Sequence, residues 1–418
     1  MHPLSYKQLH DAVAKDAAIR RKQTLQPVGG KGDKIFPPTY PGEGRNAPPR
    51  HVYERRRLNG GDIWCVLVDS VQSQANRLEE CLLDAIRDGV SIPHVVVDFS
   101  KAGLAGITEI TSLDAPHRVY DAILRDSLLN GEPFISSETG KRLAKAKADD
   151  ASALLEISPT ALLFGAWHST GEGGGLGAKF ARCLISEIVA VNVPVEDGMV
   201  NPRTGEVEVR TAGRRTGSRI DPLGVLRKVD VFKGESGWST TEAGAGKKAK
   251  KVRPSEINHG NILPSVTPLG VTCDHAEHSF VLSLAALRRL RFGGGDKDAA
   301  GRNLLAALGL VALAEQDARG YALRSRCDLV CEGRSPLELV HSDGAADELA
   351  LDGDAARSLY KQAYALAQKA GFHLSTKPLR LTPQDKLVEI VRKSQELALA
   401  GAGGDEEEAG GNESGTGN

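Results

Sequence analysis

The stretch from Ile63 to Phe99 limits the architectures open to this chain more than any other. Ile63 to Val68 reads I-W-C-V-L-V, an unbroken apolar run typical of a buried strand. At Asp69 the pattern changes to D-S-V-Q-S-Q-A-N-R-L-E-E. Val71, Ala75, Leu78 and Leu82 then recur at i, i+4, i+7 and i+11, a single apolar stripe. The pattern predicts a strand over 63–69, a helix over 70–88 and a second strand over 94–99. Away from the stripe gather Ser70, Ser73, Gln74 and Arg77, flanked by Gln72 and Asn76. A solvated helix face is usually rich in Lys and Glu. This one carries hydroxyls, amides and one Arg, which hydrogen-bond in fixed geometry. At a helix N-terminus, where backbone N–H groups and the dipole favour anions, that set suits a phosphate chain. An N-cap at Asp69 or Ser70 followed by a polar surface explains the same residues. The sequence leaves both readings open.

At 418 residues the chain can bury a large core, as one elaborated domain or two. Hydrophobic residues at 40% and charged residues at 26% are ordinary for a soluble globular protein. Aromatics at only 5% argue against a base-stacking surface rich in Phe and Tyr. No apolar run approaches the ~18 residues of a membrane span. The start, M-H-P-L-S-Y-K-Q-L-H, lacks the apolar core of a signal peptide. The six cysteines (Cys65, Cys81, Cys183, Cys273, Cys327, Cys331) are dispersed, which fits reduced thiols better than a disulfide framework. A cytoplasmic protein with no membrane partner is expected.

The net charge of −1 hides an uneven distribution. Residues 401–418 hold five acids and no Lys or Arg, so the body without them stands at +4. Arg20 to Arg57 carries ten basic and three acidic residues, and Arg210 to Arg253 twelve and four. Two basic segments in a near-neutral protein point to a polyanion partner.

Coarse patterning predicts a helix over 6–22 and a Gly- and Pro-rich basic arm over 23–60. Asp114 reads as the cap of a further helix with Pro116 in its first turn and Gly131 beyond its end. Residues 138–149 read as helical, 160–167 as an apolar strand, a helix from about Ala178, and 188–193 as a strand. A hairpin turning at N-P-R-T-G is expected within 196–210, and a strand over 228–233. Residues 236–253 look flexible. Helices are expected at about 280–291, 299–318, 355–370 and 383–399, with a strand over 321–330. The acidic tail should be disordered. No internal repeat is evident. The expected class is α+β. A ferredoxin-like βαββαβ unit with large excursions and a doubly wound sheet both fit the order.

Several motifs invite specific chemistry. Ser169 to Phe180 contains Gly173, Gly175 and Ala178 in a G-x-G-x-x-A spacing, with Glu196 and Asp197 about twenty residues on. The connection from the strand is loose, and no Gly-Lys-Ser/Thr follows. A Gly loop letting backbone N–H groups approach a phosphate or a neighbouring subunit, with Lys179 and Arg182 on a following helix, fits better. Arg118 and Asp121 form a surface pair, or Arg118 and Arg125 contact phosphate; the pair is slightly favoured. Cys273, His275 and His278 with Cys327 and Cys331 offer zinc ligands without any C-x-x-C, so no metal and no other cofactor is expected. Asp69 and Asp98 end strands, where catalytic carboxylates and caps both occur.

Five segments carry a family resemblance: 65–80, 110–127, 174–182, P-V-G-G-K-G-D-K-I-F-P-P-T-Y at 27–40 and S-R-I-D-P-L-G at 218–224. Over about residues 20–380 the chain resembles the RAMP protein of type I-G (formerly I-U) CRISPR systems, the backbone subunit of a Cascade-like complex. The resemblance implies an RRM/ferredoxin-like palm with large insertions. It divides the chain into an N-terminal helix and arm (1–60), a palm core (61–195), a basic insertion holding a candidate thumb hairpin (196–260), the rest of the palm with helical elements (261–400) and the tail (401–418). It implies a non-catalytic subunit that oligomerises along crRNA and presents the guide to target DNA. Further partners would be the large subunit, the guide-end RAMP, the guide-processing RAMP and the helicase–nuclease. The candidate RNA-binding residues are then Lys31, Lys34, Ser70, Gln72, Ser73, Gln74, Asn76, Arg77, Arg118, Lys179, Arg182, Arg214, Arg215 and Arg219. The alternatives are a RAMP endoribonuclease that cleaves target RNA, and a nucleotide-binding oxidoreductase using 171–178.

Overall fold

A computed structural model describes residues 2–42, 49–58, 60–168, 179–195, 200–201, 215–267 and 269–399. Helix and sheet mix along the chain, as an α+β reading requires. The principal elements are helix α1 (Tyr6–Lys15), strands β1 (Ala18–Pro27), β2 (Tyr53–Leu58) and β3 (Gly61–Asp69), helix α2 (Val71–Arg87), strands β4 (Leu184–Val191) and β5 (His275–Ser283), helix α3 (Gly295–Arg319), the hairpin β6 (Tyr321–Arg324) and β7 (Cys327–Cys331), and helices α4 (Gly353–Lys369) and α5 (Asp385–Leu399).

A ten-stranded sheet runs His2–Pro3, Ala346–Ala350, Leu337–Val340, β1, β5, β4, β3, β2, with β7 joined to the far end of β1 and β6 to β7. All its pairings are antiparallel except that of His2–Pro3. Its inner face presents Ile19, Phe280, Leu282 and Leu184 to a helical layer drawn from α1, α2, α3 and α4. The stripe of α2 is buried as its spacing demands, with Ala75, Leu78 and Leu82 at most 4% exposed. Helix α3 is apolar nearly all round and lies at the centre of this layer. A second cluster, including Leu25, Val66, Ile188, Ala276 and Leu329, fills the other end of the sheet. The strand Val95–Asp98 does not return to the sheet of β3. It joins a separate five-stranded sheet, parallel to Leu379–Pro383.

Several expectations are corrected. The helix expected over 6–22 ends at Lys15, and residues 18–27, divided between that helix and an arm, form a central strand. Its alternation is masked because two inward positions hold Arg21 and Gln23, both buried. Residues 160–164 are helical, not a strand, and Gly165 at φ +83° ends the turn. A short run buried on every side has no period to read. Asp114 caps no helix; it accepts from the Thr111 backbone and hydroxyl, and Asp121 caps the short helix Ala122–Arg125. No helix follows Ala178: Lys179–Phe180 is a two-residue strand leading to β4. The helix expected from 280 is strand to Ser283, whose side chain then caps Leu284–Leu287. Residues 231–252, expected to be largely flexible, form a small three-stranded sheet with the helix Glu242–Ala245. Their glycines serve packing: a Cβ on Gly234 would sit 2.5 Å from the Ala245 carbonyl oxygen. The expected hairpin within 196–210 and the tail lie outside the described residues. All six cysteines are free. No described helix is long and apolar enough to cross a membrane.

Candidate nucleic-acid interface

The polar face of α2 is built from its first turn. Ser70 is the N-cap, in extended conformation, and its Oγ accepts the Ser73 N–H at 3.2 Å. Asp69, one residue earlier and fully buried, does something else. Its Oδ1 accepts from Ser73 Oγ (2.8 Å) and from Arg324 (2.9 Å), and its Oδ2 from Gln74 Nε2 (2.6 Å) and Arg77 Nε (2.9 Å). Arg77 also donates to the Leu323 carbonyl at 2.6 Å, and Arg324 to the Val68 carbonyl at 2.7 Å. One carboxylate thus fastens the end of β3, the start of α2 and the hairpin β6–β7. A buried charge is tolerable only when compensated this fully.

The network continues inward. Gln74, 0% exposed, accepts at Oε1 from Ser186 and Gln316, both at 3.0 Å. Ser186 Oγ lies 2.7 Å from His278 Nε2, and His278 Nδ1 lies 3.1 Å from the Tyr321 hydroxyl. Tyr321 donates to Asp317, which binds Arg21 in a fork of two 2.6 Å bonds and Arg334 at 2.7 Å. Burial, with Arg21 nearby, pushes His278 down to about 3, so its ring is neutral. Its two ring nitrogens face the hydroxyls of Ser186 and Tyr321, both inside the core. His278 is therefore a core residue. Among the described residues no group of three or more His, Cys, Asp or Glu is placed to hold a metal.

Arg118 is likewise internal. It is 8% exposed, at φ +54°, and grips Glu79 through two 2.7 Å bonds while donating to the Gly165 carbonyl at 3.0 Å. The expected pair with Asp121 is replaced by this pair with Glu79, because Asp121 caps its own short helix. Burial lifts the Glu79 carboxyl above its usual range even against Arg118.

The remaining candidates divide by exposure. Gln72 and Asn76 are exposed on α2, beside half-buried Ser70 and Ser73. Lys179 lies over the Trp167 ring at 6.0 Å, and Trp167 is 56% exposed. Arg182 is exposed, has no acidic partner among the described residues, and has its pKa lowered by partial burial and by Arg118. Trp167, Lys179 and Arg182 thus gather where the chain enters and leaves the Gly-rich segment. Gly173, Gly175, Ala178, Glu196 and Asp197 lie outside the described residues. Lys31 is exposed and paired with Glu332 at 3.1 Å, and Lys34 is half-buried. Arg214 lies outside the described residues; Arg215 and Arg219 sit on the strand Arg215–Arg219, paired with Ile262–Thr267.

The basic excess of residues 20–57 is largely neutralised in space. Arg20 pairs with Glu338, Arg21 with Asp317, Lys22 with Glu277, Arg55 with Asp62, and Arg56 with Glu54 and Glu187. Nothing in the local pattern marks Glu79 and Arg324 as partners, since each meets its mate only across the folded core.

Residues 19–195 match the family described as CRISPR-associated protein GSU0053 (Cas_GSU0053). No curated protein matches the chain. Among solved structures, the crystal structure of Thermofilum pendens Csc2 is similar at 11% identity, over 98% of this chain and 95% of that chain, with a TM-score of 0.28.

Proposed function

We propose that this chain is a non-catalytic, crRNA-binding backbone subunit of a Cascade-type CRISPR effector complex, of the type I-G kind. The match of residues 19–195 to a CRISPR-associated family carries the proposal. The strand order supports the palm it requires. Strands β7, β1, β5 and β4 lie side by side, and the chain visits them as β1, α2, β4, β5, α3, β7. That is the order of a ferredoxin-like βαββαβ unit, with the hairpin β2–β3 inserted before the first helix.

A subunit that accepts any guide must hold phosphate, sugar and shape rather than base edges. Lys31, Gln72, Asn76, Lys179 and Arg182 are the candidates among the described residues whose side chains are exposed for this. Gln74, Arg77 and Arg118 act one step back, fixing the helix and loop that present them. Several copies on one guide multiply modest contacts, and the guide pairs with target DNA. The large subunit, the guide-end and guide-processing RAMPs and the helicase–nuclease complete the assembly.

The test is purification of the full chain with its natural guide transcript. RNA of one defined length should co-purify, raise the 260/280 nm absorbance ratio and resist nuclease. Nucleic-acid-free protein with tight NAD(P) binding would overturn the proposal. Regular cuts in target RNA, lost on an Asp→Ala substitution, would replace it with the endoribonuclease reading.

A further inference from the structure

The second basic segment folds into a surface that charge counting does not reveal. Between Val231 and Val252 the chain forms a three-stranded sheet ordered Gly237–Ser239, Val231–Gly234, Lys250–Val252. Its register sets Lys233 directly opposite Trp238 on one side and opposite Lys250 on the other. Directly opposed residues share a face. A row of indole, ammonium and ammonium therefore crosses the sheet. All three side chains are exposed, Trp238 by 52%.

Two features set this row apart from an ordinary solvated face. Like charges directly opposite one another repel, yet neither Lys233 nor Lys250 has an acidic partner among the described residues. The nearby acids are engaged elsewhere, Glu235 with Lys248 and Asp230 with Lys251. The indole is also held in place: His259 packs edge-on against it, centroids 5.6 Å apart at 65°. The sheet beneath is braced by the helix Glu242–Ala245, capped by the Thr241 side chain, and by the close approach of Gly246 to Ser236. A fixed aromatic face beside two unpartnered cations is what a nucleic-acid strand meets when one base stacks and the adjoining phosphates bind.

We propose that Trp238, Lys233 and Lys250 form a docking platform for single-stranded nucleic acid, with a base on the indole and phosphates on the two ammoniums. The platform lies outside residues 19–195 and stands independently of guide binding. Its recognition is blind to sequence, because every base has a π-face. Stacking and phosphate contact alone accept RNA or DNA.

The experiment uses the full chain, stripped of nucleic acid in high salt, titrated with rU20, dT20 and a 20-base-pair duplex. Tryptophan fluorescence and a salt series are read together. A single strand should quench the protein and bind more tightly than the duplex. Tighter binding of rU20 assigns the platform to RNA, and tighter binding of dT20 to a DNA strand. Trp238→Leu should remove the share of the quench that Trp238 contributes, leaving that of exposed Trp167 beside Lys179, and weaken binding about tenfold, whereas Trp238→Phe, which keeps a π-face, should retain most of the affinity. Lys233→Gln with Lys250→Gln should lower the slope of log K against log salt by about 1.4. The proposal is overturned if the duplex binds as tightly as the single strands. It is equally overturned if Trp238→Leu leaves quench and affinity unchanged, or if Trp238→Phe loses as much as Trp238→Leu.

Discussion

Asp69 closes β3 with four donors, two of them guanidiniums, and is fully buried. Asp69→Ala strands Arg77 and Arg324 without their counter-charge. Breaking one side of a buried pair costs about 3–5 kcal/mol, and urea unfolding should show a loss of that size. Gln72→Ala and Asn76→Ala, on exposed positions of the same helix, should stay within about 0.5 kcal/mol of the parent. His278 sets a pH dependence. The folded state holds its ring neutral, while the unfolded chain protonates it below its usual value of 6.5. Its contribution is complete above pH 6.5 and declines by about 1.4 kcal/mol per pH unit as pH falls towards 3. His51 and His94, lowered by burial, act in the same direction; His341, raised by Asp16 and Asp347, opposes them. His278→Asn should reduce the acid-side slope of stability by about one proton between pH 6.5 and 5, measured from urea curves at each pH. The polar face of α2 was visible in the sequence, and so was an N-cap at Asp69 or Ser70, which the structure places at Ser70. Which polar residues turn inward was not, since Gln74 meets Ser186 and Gln316 at 112 and 242 positions away and Asp69 meets Arg324 at 255.

Among the elements, α3 rests on β4 and β5 through a glycine. A Cβ on Gly309 would sit 3.1 Å from Leu184 Cδ1 and 3.4 Å from Leu282 Cδ1. Those methyl groups can shift by a few tenths of an ångström, and Ala gains about 1 kcal/mol over Gly in a helix. Gly309→Ala should therefore be close to neutral. Gly309→Leu overfills the contact and should cost about 1–3 kcal/mol, read as a lowered thermal midpoint. Helices α2, α4 and α5 were legible because each has a clear apolar stripe, and α3 because its apolar run is long and free of proline. Strand β1 was not, because Arg21 and Gln23 occupy inward positions, where they are held by Asp317 and by the Gly333 carbonyl and Ser335 amide. The small sheet at 231–252 was hidden by glycines that read as slack and act as close contacts. The exposed cations Lys179 and Arg182 were found, but as helical residues rather than at a strand and its exit.

For the whole molecule, charge per segment is a poor guide to charge per surface. The excess over 20–57 dissolves into ion pairs with acids from distant parts of the chain, while Lys233 and Lys250 keep theirs. Residues 401–418 carry five acids, so ending the chain at Ala400 shifts the body from −1 to +4. That change should tighten non-specific binding to heparin or random RNA at low salt and leave the thermal midpoint unchanged; the gain should vanish at high salt. The central position of β1 has a further consequence, for synthesis. Lys22 on β1 and Glu277 on β5 are 255 residues apart, and the strands flanking β1 on its other side begin only at Cys327 and Leu337. At about 5–20 residues per second, a ribosome needs some tens of seconds to deliver either neighbour. Throughout that interval β1 is an unpaired template with both edges open. The nascent chain therefore depends on chaperone shielding, or on slow collapse, far more than the finished protein does.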